Sequence, residues 1–315
     1  MANVFGPVPS RRLGNSLGVN LVPLKTCNYS CVYCQLGKTN YFTNERKEYY
    51  PTEKIINELE YAIKNTTLNI DYITFVGDGE PTLHSGIGRI IRWIKEKTNF
   101  KVAVITNGSL LYLNEVCNDL LYADLVLPSI DAPDERKFRL INRPVMKIRY
   151  EEIIDGLKLF ARNFNGKIWI EVMLMKDIND SREDIDKISK IINSIFPIPE
   201  RVYINVPIRP PTEKWVTIPD KRSLMYAQEK LPNAIPINFR EEGKFDVNKY
   251  TNACEAILDI TEKHPLRYDQ AKEIAEYFKE TIDEVLKKLQ KEVKFVEYDN
   301  ERYLKKLKNK NENTF

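Results

Sequence analysis

Three of the five cysteines fall within eight residues, in the run Cys27-Asn-Tyr-Ser-Cys31-Val-Tyr-Cys34. Thiolates are soft ligands, and a cubane of four irons is ordinarily held by four of them. This spacing lets one wrapped loop present three thiols to a single centre, which leaves one iron without a protein ligand. An open coordination position is what separates a catalytic metal centre from a structural one. The alternative is zinc with a fourth ligand from elsewhere. The chain has two histidines, His84 and His264, and neither stands at a zinc-binding spacing. Cys117 and Cys254 stand alone and read as small buried hydrophobes. An odd number of cysteines clustered in this way does not describe a disulfide framework.

Three further runs could do chemistry: Phe75-Val-Gly77-Asp78-Gly79-Glu80-Pro81, Thr106-Asn107-Gly108 and Ser129-Ile-Asp131. Each alone is an ordinary turn sequence. Together they matter because each follows a short apolar run of strand type. Such candidate strands lie at 18–23, 71–76, 101–105, 124–128, 168–174 and 202–207. Helical patterns separate them, with apolar residues three and four apart, as in Ile55, Ile56, Leu59 and Ile63, and at about 86–97, 112–121, 150–163 and 182–194. Six strands alternating with helices predict an α/β fold with a parallel sheet, either open and doubly wound or closed to some degree into a barrel. In such folds the carboxyl ends of the strands are where active sites gather.

On these residues the chain resembles the radical S-adenosylmethionine (radical SAM) superfamily, with Tyr33 just before the last cysteine of the run. The likeness covers about residues 18–207 and implies a partial (β/α)6 barrel of TIM type. It further implies a [4Fe-4S] cluster on Cys27, Cys31 and Cys34 whose open iron is chelated by S-adenosyl-L-methionine. One electron, from a donor such as ferredoxin or flavodoxin, then releases a 5′-deoxyadenosyl radical that abstracts hydrogen from a substrate. The cofactor contacts implied are Gly77, Gly79 and Glu80 for the methionine amine, with backbone carbonyls as acceptors, and Asn107, Ser129 and Asp131 for ribose and carboxylate. Tyr33, Met173 and Asn205 complete the adenosyl side. The common family segment has adjacent glycines, and Asp78 separates them here.

More finely, Gly6-Pro-Val-Pro-Ser-Arg-Arg12-Leu-Gly, Ile141-Asn142-Arg143-Pro144 and Ile208-Arg209-Pro210-Pro211 resemble the group related to wyosine synthase, which modifies guanine in transfer RNA. That enzyme carries a second cysteine-ligated cluster. Cys117 and Cys254 are too few and too far apart to supply one, so wyosine synthesis is not expected. Arg11, Arg12, Arg143 and Arg209 lie in loops flanking the strands. A planar guanidinium suits phosphate or carboxylate, so these four are candidates to hold an anionic substrate such as RNA or a nucleotide. Pairing with acidic side chains is the plain alternative.

The chain divides into an N-terminal extension (1–17), the barrel (18–207), a proline-rich covering or linking segment with one short helix (208–251), a module at 252–308 and a polar tail at 309–315, expected to be disordered. The module's helical patterns at 253–262, 268–278 and 280–291, with a hairpin at Asp299-Asn300, predict a winged-helix-like unit. Residues 254–315 hold 13 Lys or Arg against 14 Asp or Glu, so the unit lacks the basic face of a duplex binder. A net charge of +3 implies no polyanionic partner by itself. No stretch approaches the roughly 20 apolar residues that span a bilayer, and the opening residues lack the layout of a secretory signal, so a cytoplasmic protein is expected. Two other functions stay open at this level. One is an activating enzyme that places a glycyl radical on a partner protein. The other is a non-enzymatic iron–sulfur regulator that reads nucleic acid, which leaves Gly77–Glu80, Asn107 and Asp131 without a purpose.

Overall fold

The structure is a computed structural model that describes residues 3–237, 245, 247, 248, 250–263 and 265–307. The chain opens with an antiparallel pair, β1 (Val4–Ser10) and β2 (Gly14–Val19). Two-residue strands β3 (Thr26–Cys27) and β4 (Tyr41–Phe42) pair beside it and bracket the cysteine run. Alternation follows: α1 (Thr52–Asn65), β5 (Tyr72–Phe75), α2 (Ile87–Lys97), β6 (Lys101–Thr106), α3 (Asn114–Leu120), β7 (Leu125–Pro128), α4 (Glu135–Ile141) and α5 (Tyr150–Asn163). Then come β8 (Lys167–Met173), α6 (Arg182–Asn193), β9 (Arg201–Asn205), α7 (Lys221–Lys230) and β10 (Ala234–Pro236). A last unit holds α8 (Ala253–Lys263), β11 (Leu266–Arg267), α9 (Tyr268–Tyr277), α10 (Ile282–Leu289), β12 (Val293–Tyr298) and β13 (Glu301–Lys306).

The main sheet has eight strands in the order β1-β2-β5-β6-β7-β8-β9-β10, parallel from β2 to β10. It therefore exceeds the six expected strands at both edges. β1 falls in the segment read as an extension. Its prolines fit an edge, where one side of the strand needs no ladder, and its register shifts between Phe5 and Val8. β10 falls in the segment read as covering turns, and with α7 it adds one more unit to the sheet. The first parallel strand runs over 14–19 instead of 18–23. Leu21 and Val22 stay buried in the core after the chain has left the ladder, so apolarity there marks packing and not pairing.

The two faces of the sheet differ. Helices α1, α2, α5 and α6 cover the outer face with a large apolar cluster that includes Leu17, Ile73, Val104 and Ile170. The inner face carries Leu13, Ala103, Leu125, Leu127, Trp169, Tyr203 and Ile237 in one cluster. Leu13 belongs to one edge and Ile237 to the other, so the sheet is curled far enough for its edges to share a core. Among the described residues the edges are not joined by a ladder. Across the gap Arg11 donates through Nη1 to the Ile237 carbonyl (2.5 Å) and to Asn205 Oδ1 (3.2 Å), and Arg12 pairs with Glu171.

In the last unit, a three-stranded antiparallel sheet in the order β11-β13-β12 packs on α8–α10 around Ala256, Ile257, Leu266, Val285 and Leu304. Asp299 and Asn300 both have positive φ, as the two-residue turn between β12 and β13 requires. Its other sheet face meets the barrel, where Tyr303 Oη donates to the Ile208 carbonyl (2.8 Å) and Lys305 Nζ to that of Gln35 (3.0 Å). Residue 308 and the tail expected at 309–315 lie outside the described residues.

Candidate active site around the cysteine loop

The cysteine loop leaves β3 at the carboxyl end of the sheet and is closed on itself. The amides of Asn40 and Tyr41 donate to the Lys25 carbonyl (3.1 Å each), and Lys25 Nζ donates to the Gly37 carbonyl. Two asparagines, one after β6 and one at the C-terminus of α4, aim amides at its sulfurs. Asn107 Nδ2 donates to Cys27 Sγ (3.7 Å) and Asn142 Nδ2 to Cys31 Sγ (3.6 Å), while the Tyr29 amide reaches Cys27 Sγ (3.3 Å). Each of the three thiols is half-buried. Burial, then the Glu80 carboxylate, pushes the Cys27 thiol up to about 12, and burial with the two other thiols raises Cys31 as well.

This donor set fits an iron–sulfur cluster. Neighbouring thiols contribute to raising Cys27 and Cys31, and amide N–H groups directed at sulfur stabilise the charge that ligation creates. Among the described residues no three His, Cys, Asp or Glu side chains are arranged to hold a single metal ion.

Glu80 is 2% exposed and its carboxylate is fully engaged. Oε1 accepts from the Thr82 amide (3.0 Å), Thr82 Oγ1 (2.6 Å) and Thr106 Oγ1 (2.6 Å), and Oε2 accepts from the Asn107 amide (2.7 Å). Burial nonetheless raises its carboxyl above the usual range. Its work is to fix Asn107. The two glycines differ in the same way. Gly77 has φ +136°, which favours glycine, whereas a Cβ on Gly79 would sit 1.7 Å from the Thr26 carbonyl oxygen. The space beside Gly79, expected to be open for a ligand, is taken by the residue before Cys27.

Asp131 is a second buried junction. Oδ2 accepts from Tyr33 Oη (2.5 Å) and Asn142 Nδ2 (2.9 Å), and Oδ1 from the Met173 amide (2.9 Å). Burial raises its carboxyl, and these donors pull it back. Sequence reasoning missed three supports. Asn28 Oδ1 accepts from Asn107 Nδ2 (2.8 Å). Asn142 joins Cys31 to Asp131. Asn179, fully buried, donates to the carbonyls of Asp131 (2.7 Å) and Met173 (2.8 Å) and ties β7 to β8.

Ser129 and Asn205 lie apart, on the inner seam. Ser129 bridges Glu171 on β8, and Asn205 Nδ2 donates to Glu171 Oε1 (3.2 Å). Glu171 thus gathers Ser129, Asn205 and Arg12, and it too was missed. A lone acid inside Ile-Trp-Ile-Glu-Val-Met was the available signal. The four arginines do not form one ring. Arg11, Arg12 and Arg209 line a cavity of about 250 Å³ that also takes in Thr74, Gly77 and Asp78 and is walled by Tyr250, Asp259 and Gln270 from the side of the last unit. Arg143 lies outside that lining and is bound by Glu213 (2.5 Å), just as Arg12 is bound by Glu171. Carboxylates already answer both charges. Arg209 donates to Gln35 Oε1 (2.7 Å). Cys117 and Cys254 are half-buried at the edges of two cores and take no part in the site.

A curled β/α sheet with three thiols on the loop after its first parallel strand is the arrangement of one enzyme class. Residues 21–188, more than half of the chain, match the radical SAM superfamily, and the chain belongs to it. The UPF0026 protein of Methanocaldococcus jannaschii is 37% identical over 99% of both chains. A protein named GTPase Obg from Brachyspira hyodysenteriae is 51% identical over 62% of this chain, which spans only 28% of that protein's length. Among solved structures, a radical SAM methyltransferase from Sphaerobacter thermophilus matches 72% of this chain and 67% of its own, with a TM-score of 0.55 at 15% identity, a likeness of fold. No helix among the described residues is long and apolar enough to cross a membrane.

Proposed function

We propose that the protein reductively cleaves S-adenosylmethionine at a [4Fe-4S] cluster on Cys27, Cys31 and Cys34 and directs hydrogen abstraction onto an anionic substrate such as a nucleotide or RNA. The observation that carries this reading is the convergence of the three thiols with the Asn107 and Asn142 amides inside the family-matched segment. When bound, the cluster supplies the electron that splits the cofactor to methionine and a 5′-deoxyadenosyl radical. Everything else falls to the chain. The Gly77 backbone would hold the methionine amine and Asn107 its carboxylate or the ribose; Asp131, whose oxygens are taken by Tyr33, Asn142 and the Met173 amide, would act by setting Tyr33 and Met173 along the adenosyl group, with Ser129 and Asn205 deeper in the seam. Asp131, holding Tyr33 and the Met173 amide at once, sets the distance between the cysteine loop and β8.

The cavity beneath is the substrate site in this reading, with Arg11 and Arg209, which line it, as the anion contacts. Arg143 is set aside because it lies outside that lining, and Arg12 because its guanidinium spans the seam to Glu171. The last unit, in the order α8-β11-α9-α10-β12-β13, is a winged helix that serves as a cavity wall. The proline-flanked segments around Arg12, Asn142 and Arg209 support placing the chain beside the wyosine-synthase group, without a second cluster.

Anaerobic reconstitution with iron and sulfide tests this directly. About four irons per chain are expected, lost when Cys27, Cys31 or Cys34 becomes Ala and kept in Cys117→Ala and Cys254→Ala. With dithionite and S-adenosylmethionine, slow release of 5′-deoxyadenosine should follow. A cluster that survives in the Cys27/Cys31/Cys34 triple variant would refute the assignment.

A further inference from the structure

The cavity is lined by charges of both signs. The barrel contributes Arg11 and Arg209, with Asp78 beside Gly77, and the last unit contributes Asp259 from α8. Each of these side chains is held in place. Arg11 reaches Asn205 and the Ile237 carbonyl, and Arg209 reaches Gln35. Asp78 Oδ2 accepts from Asn20 Nδ2 (2.5 Å), and Asp259 Oδ2 accepts from Tyr250 Oη (2.6 Å). Tyr250 is fixed in turn, its amide donating to the Val247 carbonyl (3.1 Å). Of the residues assigned to the cofactor, only Gly77 lines the cavity, so its occupant is a second molecule.

A volume of about 250 Å³ corresponds to a sphere roughly 8 Å wide, about one Debye length at physiological salt. An occupant therefore feels all of these charges with little screening. A simple anion that satisfies the two guanidiniums meets two carboxylates in the same space. A molecule that also carries a cation turns that repulsion into a second contact. The last unit bears on size as well. Beside the cavity it is latched to the barrel, by Lys305 at Gln35 and by Tyr303 at Ile208, the neighbour of Arg209. An RNA strand with one nucleotide in the cavity would lay its flanking phosphates against this unit. Residues 254–315 carry 13 Lys or Arg against 14 Asp or Glu, which is no track for a polyanion. A small free molecule needs no such track.

We propose that the cavity takes a small free zwitterion, with a phosphate or carboxylate at Arg11 and Arg209 and a protonated amine at Asp259. The inference deepens the anionic-substrate reading above and rests on it. Asp259, supplied by the last unit, is then the residue that tells this substrate from a simple anion.

The test uses the full chain, as isolated and after cluster loading, in anaerobic titration calorimetry with matched probes. Phosphoethanolamine is compared with ethyl phosphate, 4-aminobutyrate with butyrate, and all of them with transfer RNA. At least one amine-bearing probe should bind about tenfold more tightly than its amine-free partner. Asp259→Asn should erase that preference, and Arg209→Gln should weaken both members of the pair about tenfold. Arg143→Gln, outside the lining, should change neither. Absence of binding by both amine-bearing probes, equal affinity within both pairs, or a preference that survives in Asp259→Asn overturns the proposal. So does transfer-RNA binding that is tighter than either zwitterion and lost in Arg209→Gln, which would make the cavity an RNA site. A preference found in protein that neither loads iron nor cleaves S-adenosylmethionine with dithionite would sustain this site and sink the enzyme reading. Loading and cleavage with no preference would do the reverse.

Discussion

The cysteine face and the inner seam both gather polar side chains in a buried setting, yet they are built from different materials. Around the cysteines the partners are neutral amides, hydroxyls and two carboxylates, Glu80 and Asp131, each saturated by donors close in space. Along the seam the partners are full charges, Arg12 against Glu171, with Arg11 reaching over to Asn205 and the Ile237 carbonyl. The first arrangement fixes geometry, and its two carboxylates add to burial in raising the Cys27 and Cys31 thiols. The second spans a gap where no strand ladder exists, so its charges act as fasteners. The lesson is that an arginine in a loop beside a barrel can owe its place to the sheet edge and not to a ligand.

Four measurements break or sharpen this contrast. The largest effect belongs to Gly79→Val, which drives a side chain into the Thr26 carbonyl. Destabilisation of about 3 kcal/mol is expected from overpacking, with iron loading lost, by urea unfolding and iron analysis. Unchanged loading would mean the loop has room that the structure denies it. Next, Glu171→Gln removes the carboxylate that meets Arg12 across the seam, at a cost of about 2–3 kcal/mol after allowing for partial exposure, while iron loading stays. Iron lost with stability kept would erase the distinction between fastener and site. Third, Tyr33→Phe removes one donor from buried Asp131 and should cost about 1 kcal/mol, with weaker binding of S-adenosylmethionine by calorimetry as the diagnostic change.

The smallest effect is a pH slope. His84 is fully buried, its Nδ1 accepting from the Gly86 amide (3.0 Å), and burial lowers its pKa below the usual value. The unfolded chain then binds a proton at His84 before the folded one does. Its contribution is full above the unfolded value and is lost as pH falls through the folded value. Between pH 7.5 and 5, wild-type protein should lose more stability than His84→Asn. Equal slopes would assign the acid sensitivity to other groups.

Much of this was legible in the residues themselves. Three cysteines on one short loop and turn sequences after apolar runs do meet at the carboxyl end of the sheet, as their order in the chain implied. β1 hid behind its prolines, since an edge strand can discard donors that an inner strand must keep. Glu171 stood out only as a lone acid in an apolar run, and Asn179 not at all, because the partners that give them a role, Arg12 and Asn205 for one and the Asp131 carbonyl for the other, are distant in sequence. Gly79 was read as making room for a ligand, when a glycine makes room for whatever packs first, here the Thr26 carbonyl. Arg143 and Arg209 look alike beside their prolines; only the fold puts Glu213 within reach of one and the cavity beside the other.

The hydrogen bond from Lys305 to the Gln35 carbonyl joins positions 270 residues apart, and Gln35 directly follows Cys34. During synthesis the cysteine loop leaves the ribosome early, and its trailing end gains this bond only after β13 has been made, long after Thr212 and Arg209 can reach it. Contacts this distant in sequence form late. The nascent chain therefore passes a long interval with the cysteine loop short of its most distant latch.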